Sequence, residues 1–131
     1  MRLWPLILIP KLPRPQLLGQ HRECCALRGN GWGRKHSTVD YVFRHPYFWL
    51  FKYHLAVMSE MARRGFKVNS KWMEYDYRGL NKGYDKSYFT EPAAILDYSL
   101  IYPEHDERYM LECLENLKHK GIVIYVTRKV A

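Results

Sequence analysis

Arg22 and Glu23 stand side by side inside LLGQHRECCALRGNGWGRKH, residues 17–36. Residues 15–28 hold no helix breaker except Gly19, and Pro13 and Pro15 suit a helix entry. On a helix, positions three and four apart share a face. Gly19 and Ala26 therefore frame the Arg-Glu pair, so a large ligand can approach the helix backbone and meet a guanidinium and a carboxylate together. Arg22 offers a planar fork that grips phosphate. Glu23 beside bound phosphate gains proton affinity, which suits acid–base work. The residues alone leave a second reading open, a solvated face carrying an ordinary charge pair. GRKH at 33–36 follows a glycine turn expected to be flexible, which makes Arg34, Lys35 and His36 candidates for the same phosphate grip. A solvated basic loop accounts for them equally well.

The rest of the chain must position this pair. It has 131 residues, enough for one domain with its own core, and no repeat or low-complexity linker divides it, so residues 1–131 are read as a single domain. Against 21 Lys+Arg stand 13 Asp+Glu, a formal charge of +8, which favours a polyanionic partner, nucleic acid before membrane. Eleven Tyr and four Trp put some rings near the surface, where they can stack on bases. The apolar start MRLWPLILIPKLP is short and broken by Pro5 and Pro10, so it reads as an ordered segment and not as a secretion signal. No stretch approaches the length of a membrane span. A soluble, cytoplasmic, nucleoid-associated protein is expected.

Three principal helices with long irregular connections follow from the pattern, an all-α fold. The first covers 15–28, with Leu18 and Cys25 on one face, widened by Leu17 and Cys24. The second runs from Pro46 to Arg64, where Phe48, Phe51, Leu55, Met58 and Ala62 form one apolar stripe, and Gly65 ends it. The third runs from Glu104 to Lys120, acidic at its start and basic at its end as the helix dipole prefers, with Met110, Leu114 and Leu117 as its buried edge. A short turn is expected near Asp40, irregular chain over 66–92, and a short strand or extended tail at IVIYV, 122–126.

No metal or organic cofactor is expected. His21, Cys24 and Cys25 are close, but no second CxxC or HxxxH completes four ligands, and His45 and His54 fall on opposite sides of an intact helix. Three cysteines make no disulfide framework, and adjacent Cys24 and Cys25 resist pairing, so all three read as reduced thiols. GNGWG lacks the Lys-Ser/Thr of a nucleotide-binding loop. PEHDER at 103–108 reads as a helix start. Lys11 and Lys35 are amines that desolvation would turn into nucleophiles.

LLGQHRE, a glycine turn with RKH, and a long helix closing on MARRGFKV together resemble the pyrimidine-dimer DNA glycosylase family, of the phage endonuclease V-like, bacterial branch that begins MRLW. The resemblance covers residues 1–70. It implies a base-excision repair glycosylase with AP-lyase activity, acting on ultraviolet pyrimidine dimers or abasic sites in double-stranded DNA. It also implies that the N-terminal α-amine attacks the sugar C1′, leaving an imine from which β-elimination nicks the strand. Such an amine, with a pKa of ~7.7–8 against ~10.4 for lysine, keeps a useful neutral fraction at pH 7. Arg2 is too large for the usual trimming of the initiator, so Met1 supplies the amine here. By the same resemblance Glu23 supports the cationic sugar and its proton transfers, and Arg22 holds the flanking phosphate. Gln16 stands where the family has a DNA-contacting His, and Ala26 where it has a phosphate-binding Arg, for which Arg28 is the candidate substitute. The family's aromatic tail has no match in IVIYVTRKVA; the aromatic, basic stretch at 71–89 is a candidate DNA contact instead. A monomer without an obligate protein partner is expected. The alternatives are a non-catalytic DNA-binding domain on the same scaffold, and an interaction module whose basic face only keeps it soluble.

Overall fold

A computed structural model describes residues 2–35, 38–88 and 95–126. Three α-helices carry the fold: α1 Arg14–Arg28, α2 Tyr47–Arg63 and α3 Glu107–His119. Short 3-10 turns at Leu6–Lys11, Asp40–Arg44, Ser70–Met73 and Lys86–Tyr88 punctuate the connections. Among the described residues there is no strand, only a single bridge between Tyr77 and Tyr84, and the fold is all-α. Residues 122–126 form neither helix nor strand. No helix of the described residues is long and apolar enough to cross a membrane.

Local chemistry sets the helix ends. Pro13 and Pro46 precede α1 and α2, where a fixed φ and a missing N–H cost nothing. Asp106 caps α3 by accepting the Tyr109 N–H at 2.9 Å. At the far end of α2, Gly65 takes φ +84 and the Phe66 N–H reaches back to the Met61 carbonyl at 2.9 Å, a left-handed closure that suits glycine. α3 closes the same way, with Ile122 N–H on the Leu117 carbonyl.

α1 packs on α2, and α2 also receives the turns at 6–11 and 40–44. The core joins Leu17, Cys24 and Leu27 of α1 to Leu50, Tyr53 and Val57 of α2 and Cys113 and Leu117 of α3. Leu3, Leu8, Ile9 and Leu12 complete it, so the apolar start of the chain is core. Met110 and Leu114 are half-buried against that core. The expected stripe of α2 is displaced: Phe51 and Met58 are buried, but Phe48 and Leu55 are half-exposed and Ala62 is exposed. α2 is covered on more than one side, with Tyr53 and His54 meeting Gln20 and His21 of α1, so one periodic stripe underdescribes it. α1 is likewise centred on Leu17 and Cys24, with Leu18 and Cys25 at the edge. All three cysteines are free.

Candidate active site

A polar residue sits on the buried face of α1. Gln20 lies between Leu17 and Cys24, is 2% exposed, and spends its amide on the start of the chain. Its Oε1 accepts the Trp4 N–H at 2.7 Å and its Nε2 donates to the Arg2 carbonyl at 3.2 Å. The Tyr53 hydroxyl of α2 lies 2.5 Å from the Trp4 carbonyl and 2.8 Å from Gln20 Oε1; its single proton goes to the shorter contact. From α3, Tyr109 donates to the Leu3 carbonyl at 2.7 Å. Residues 2–4 are thus held at their backbone by all three helices. The Arg2 guanidinium turns toward α3, 3.5 Å from Cys113 Sγ and over the Trp4 and Tyr109 rings. Glu23 follows Gln20 by three residues, one turn along α1 and about 60° around it, and is half-buried. Residues 2–4 therefore dock on α1 at the residue one turn before Glu23. Met1 itself lies outside the described residues, as does His36.

Arg22 is exposed, and its Nη2 lies 3.9 Å from where a Gly19 side chain would begin, so the missing side chain leaves room for the guanidinium. Arg34 and Lys35 are exposed on the connection after α1. That connection is anchored and not free: Trp32 packs edge-on against Phe43 and Tyr47, each with centroids 5.1 Å apart. Gly31 also meets the end of α1, where a side chain would stand 2.7 Å from the Ala26 carbonyl. A cleft of about 720 Å³ opens between this connection and residues 69–81. Ala26, Asn30 and Arg34 form one wall and Asn69, Trp72 and Asn81 the other. So α1 offers Arg22 and Glu23 on its flank, and its end offers Arg34 on the cleft.

Arg28 does not fit the expected phosphate contact. It is fully buried, and all five N–H groups are spent inside the protein: on the Tyr47 hydroxyl, His54 Nδ1, and the carbonyls of Trp72, Glu74 and Tyr77, at 2.8–3.1 Å. Its guanidinium also lies over the Phe51 and Trp72 rings. Arg78, 2% exposed, completes the clasp by donating to the Arg28 and Gly29 carbonyls and pairing with Asp85 at 3.2 Å. These two arginines tie residues 72–85 to the end of α1, so much of the aromatic, basic stretch serves as scaffold. Lys11, the rival amine, donates to the Tyr125 carbonyl at 2.7 Å.

His54 joins His21 and Cys25, and the three ligand atoms lie within 4.8 Å of one another. Sequence spacing hid this because His54 comes from α2. Arg28 decides what the cluster is. A guanidinium only donates, so His54 Nδ1 accepts, the proton sits on Nε2, and Nε2 donates to His21 Nδ1 at 2.8 Å. A metal on Nε2 would have to displace that proton and leave Nδ1 as an imidazolate, or turn an N–H toward a cation. Metal-bound histidines instead offer that second nitrogen to an acceptor. The cluster is a closed hydrogen-bond chain. Burial, then Arg28 and His21, push the His54 pKa far down; burial, then Arg22 and Arg28, lower His21. Burial lifts the Cys25 thiol to about 11, well away from a reactive thiolate.

Acid stability follows from buried His54 and from buried His105, whose pKa burial lowers to about 4 and whose Nε2 lies against the Tyr41 hydroxyl. Unfolded histidines protonate near ~6.5, while these stay neutral in the folded state. Their contribution is complete above that value and is lost as pH falls through it. Each such histidine costs about 1.4 kcal/mol per pH unit within the window. Urea titrations at pH 7.5, 6.5, 5.8 and 5.0 should show stability falling by more than about 2 kcal/mol between pH 6.5 and 5.0. A flat midpoint over that range contradicts the neutral, buried assignment.

Three residues that hold the start of the chain escaped sequence reading. Gln20 had a signal, a polar side chain on an otherwise apolar face. Tyr53 and Tyr109 had none, because their partners are backbone carbonyls more than forty residues away. The sequence model of a family described as pyrimidine dimer DNA glycosylase matches residues 1–74. No curated protein and no solved structure matches the chain significantly.

Proposed function

The chain belongs to the pyrimidine dimer DNA glycosylase family, DNA-repair enzymes that act on DNA, and from that premise we propose an imine mechanism on its N-terminal α-amine. The observation that carries it is the docking of residues 2–4 on Gln20, one turn before Glu23. In a chain that starts at Met1, the neutral amine attacks C1′ of the damaged nucleotide, and the bond from C1′ to the base breaks as the base takes up a proton. The sugar ring opens, and C1′ and the amine nitrogen form an imine. Loss of a C2′ proton then expels the 3′ phosphate and nicks the strand. Water hydrolyses the imine and restores the amine. Glu23 stabilises the cationic sugar and carries protons between these steps, needing only hydrogen-bond reach of the amine and C2′.

Arg22, Arg34 and Lys35 hold phosphates, and His36 is proposed with them. Arg22, Arg34 and Lys35 are exposed, on α1 and on the connection that follows it. Duplex carrying a pyrimidine dimer or an abasic site is the proposed substrate, because a lesion lowers the cost of kinking and of extruding a nucleotide. The protein acts as a monomer, without cofactor or obligate protein partner, in the cytoplasm beside the nucleoid.

The test is the salt dependence of binding to a duplex with one abasic site. Log affinity should fall linearly with log salt, and Arg34→Ala or Lys35→Ala should each reduce the slope by about one. A slope unchanged in both variants takes these residues out of the interface.

A further inference from the structure

The structure assigns to Gln20 and Tyr109 the task of positioning the proposed nucleophile: they hold the backbone of residues 2–4, the segment that leads to the α-amine. This rests on the α-amine mechanism proposed above and adds residues that the mechanism alone does not require. Tyr109 belongs to α3, beyond the matched residues 1–74, so the C-terminal part of the chain contributes to the reaction centre.

A chain terminus is a poor nucleophile unless it is held, since a free terminal segment spends most of its time elsewhere. Pinning it before substrate arrives removes that entropy from the reaction barrier. The hold acts on three consecutive residues and reaches only their backbone. Gln20 bridges the Arg2 carbonyl and the Trp4 N–H, and Tyr109 takes the Leu3 carbonyl between them. The Leu3 side chain is fully buried, so the segment cannot roll about its own axis. Tyr109 is itself locked, its ring stacked on His105 with centroids 4.9 Å apart and capped by the Arg2 guanidinium. Gln20 cannot swing away either, because both ends of its amide are engaged and it is buried. Contacts to backbone fix the path of the chain, whatever side chains residues 2 and 4 carry. Neither residue needs to touch DNA.

The test uses full-length Tyr109→Phe, which removes one hydroxyl, and Gln20→Met, which keeps the volume of the side chain. Each is compared with the unmodified chain in single-turnover borohydride trapping on a duplex with one abasic site, at saturating protein, from pH 6 to 9. DNA affinity and melting temperature are measured alongside. The expected result is a trapping rate about tenfold lower in each variant, with DNA affinity within twofold, and a loss that persists well below the melting temperature. Rates equal to the unmodified chain overturn the inference. So does a loss that vanishes on cooling, which marks a structural role only. An unmodified chain with its α-amine blocked is the control: if it still traps, the α-amine mechanism fails and the positioning role falls with it. If the control is silent and the variants trap normally, the mechanism stands and the positioning role alone is wrong.

Discussion

Glu23→Gln should lower strand cleavage by a factor of about 10²–10⁴, the usual size of a lost acid–base group, and leave DNA affinity within a few-fold. The substitution keeps the shape and hydrogen-bonding reach of the side chain and removes only its charge and its basicity. Glu23 lies half-buried on α1, three residues after the Gln20 that docks the start of the chain, so the loss is expected on proton transfer and on the cationic sugar, and not on phosphate binding. Tighter binding by the variant is in line with this, since a carboxylate near the DNA backbone repels it. Gel assays of nicking and of binding on the same abasic duplex measure both effects. Cleavage within about threefold of the unmodified chain would remove Glu23 from catalysis. If neither chain cleaves and both bind, the protein is a DNA-binding domain on this scaffold.

Arg28→Met should destabilise the fold by about 3–5 kcal/mol, or prevent folding outright. It deletes five donors at once and leaves His54 Nδ1 and three carbonyls short of a partner in a site closed to water. Arg28→Lys should rescue little, because an ammonium has three donors and no planar fork to span α2 and the loop after it. Denaturant unfolding gives the magnitude. Had Arg28 been a phosphate contact, the same change would be nearly neutral in stability and would lower the salt slope instead. Arg34→Ala should do the reverse, since that side chain is exposed on the cleft.

The contrast between these arginines shows what was legible in the sequence. Helix positions were, because Pro13, Pro46, Gly65 and Gly121 mark their ends through local backbone rules. The placement of Arg22 and Glu23 on a flank of α1 beside Gly19 was legible, because helical spacing is a local fact too. The fate of Arg28 was not. Two residues past the position of interest, it looked like a substitute for a missing cation, and only the return of residues 72–77 over the end of α1 buries it. His54 reached His21 and Cys25 for the same reason, through packing of α2 on α1. The stripe on α2 failed because that helix is apolar around most of its circumference, so periodicity identified a helix without fixing its orientation. GNGWG looked flexible from its glycines, yet Trp32 anchors it.

The central claim is that the start of the chain supplies the nucleophile. Two proteins test it, one with its native start and one carrying a short N-terminal extension, each mixed with duplex holding a single abasic site or a thymine dimer in the presence of borohydride. The mechanism predicts a covalent protein–DNA adduct with the native start alone, and the duplex that traps identifies the lesion. An adduct with both proteins would contradict it and move the nucleophile to a lysine, with Lys11 and Lys35, both exposed, as the candidates.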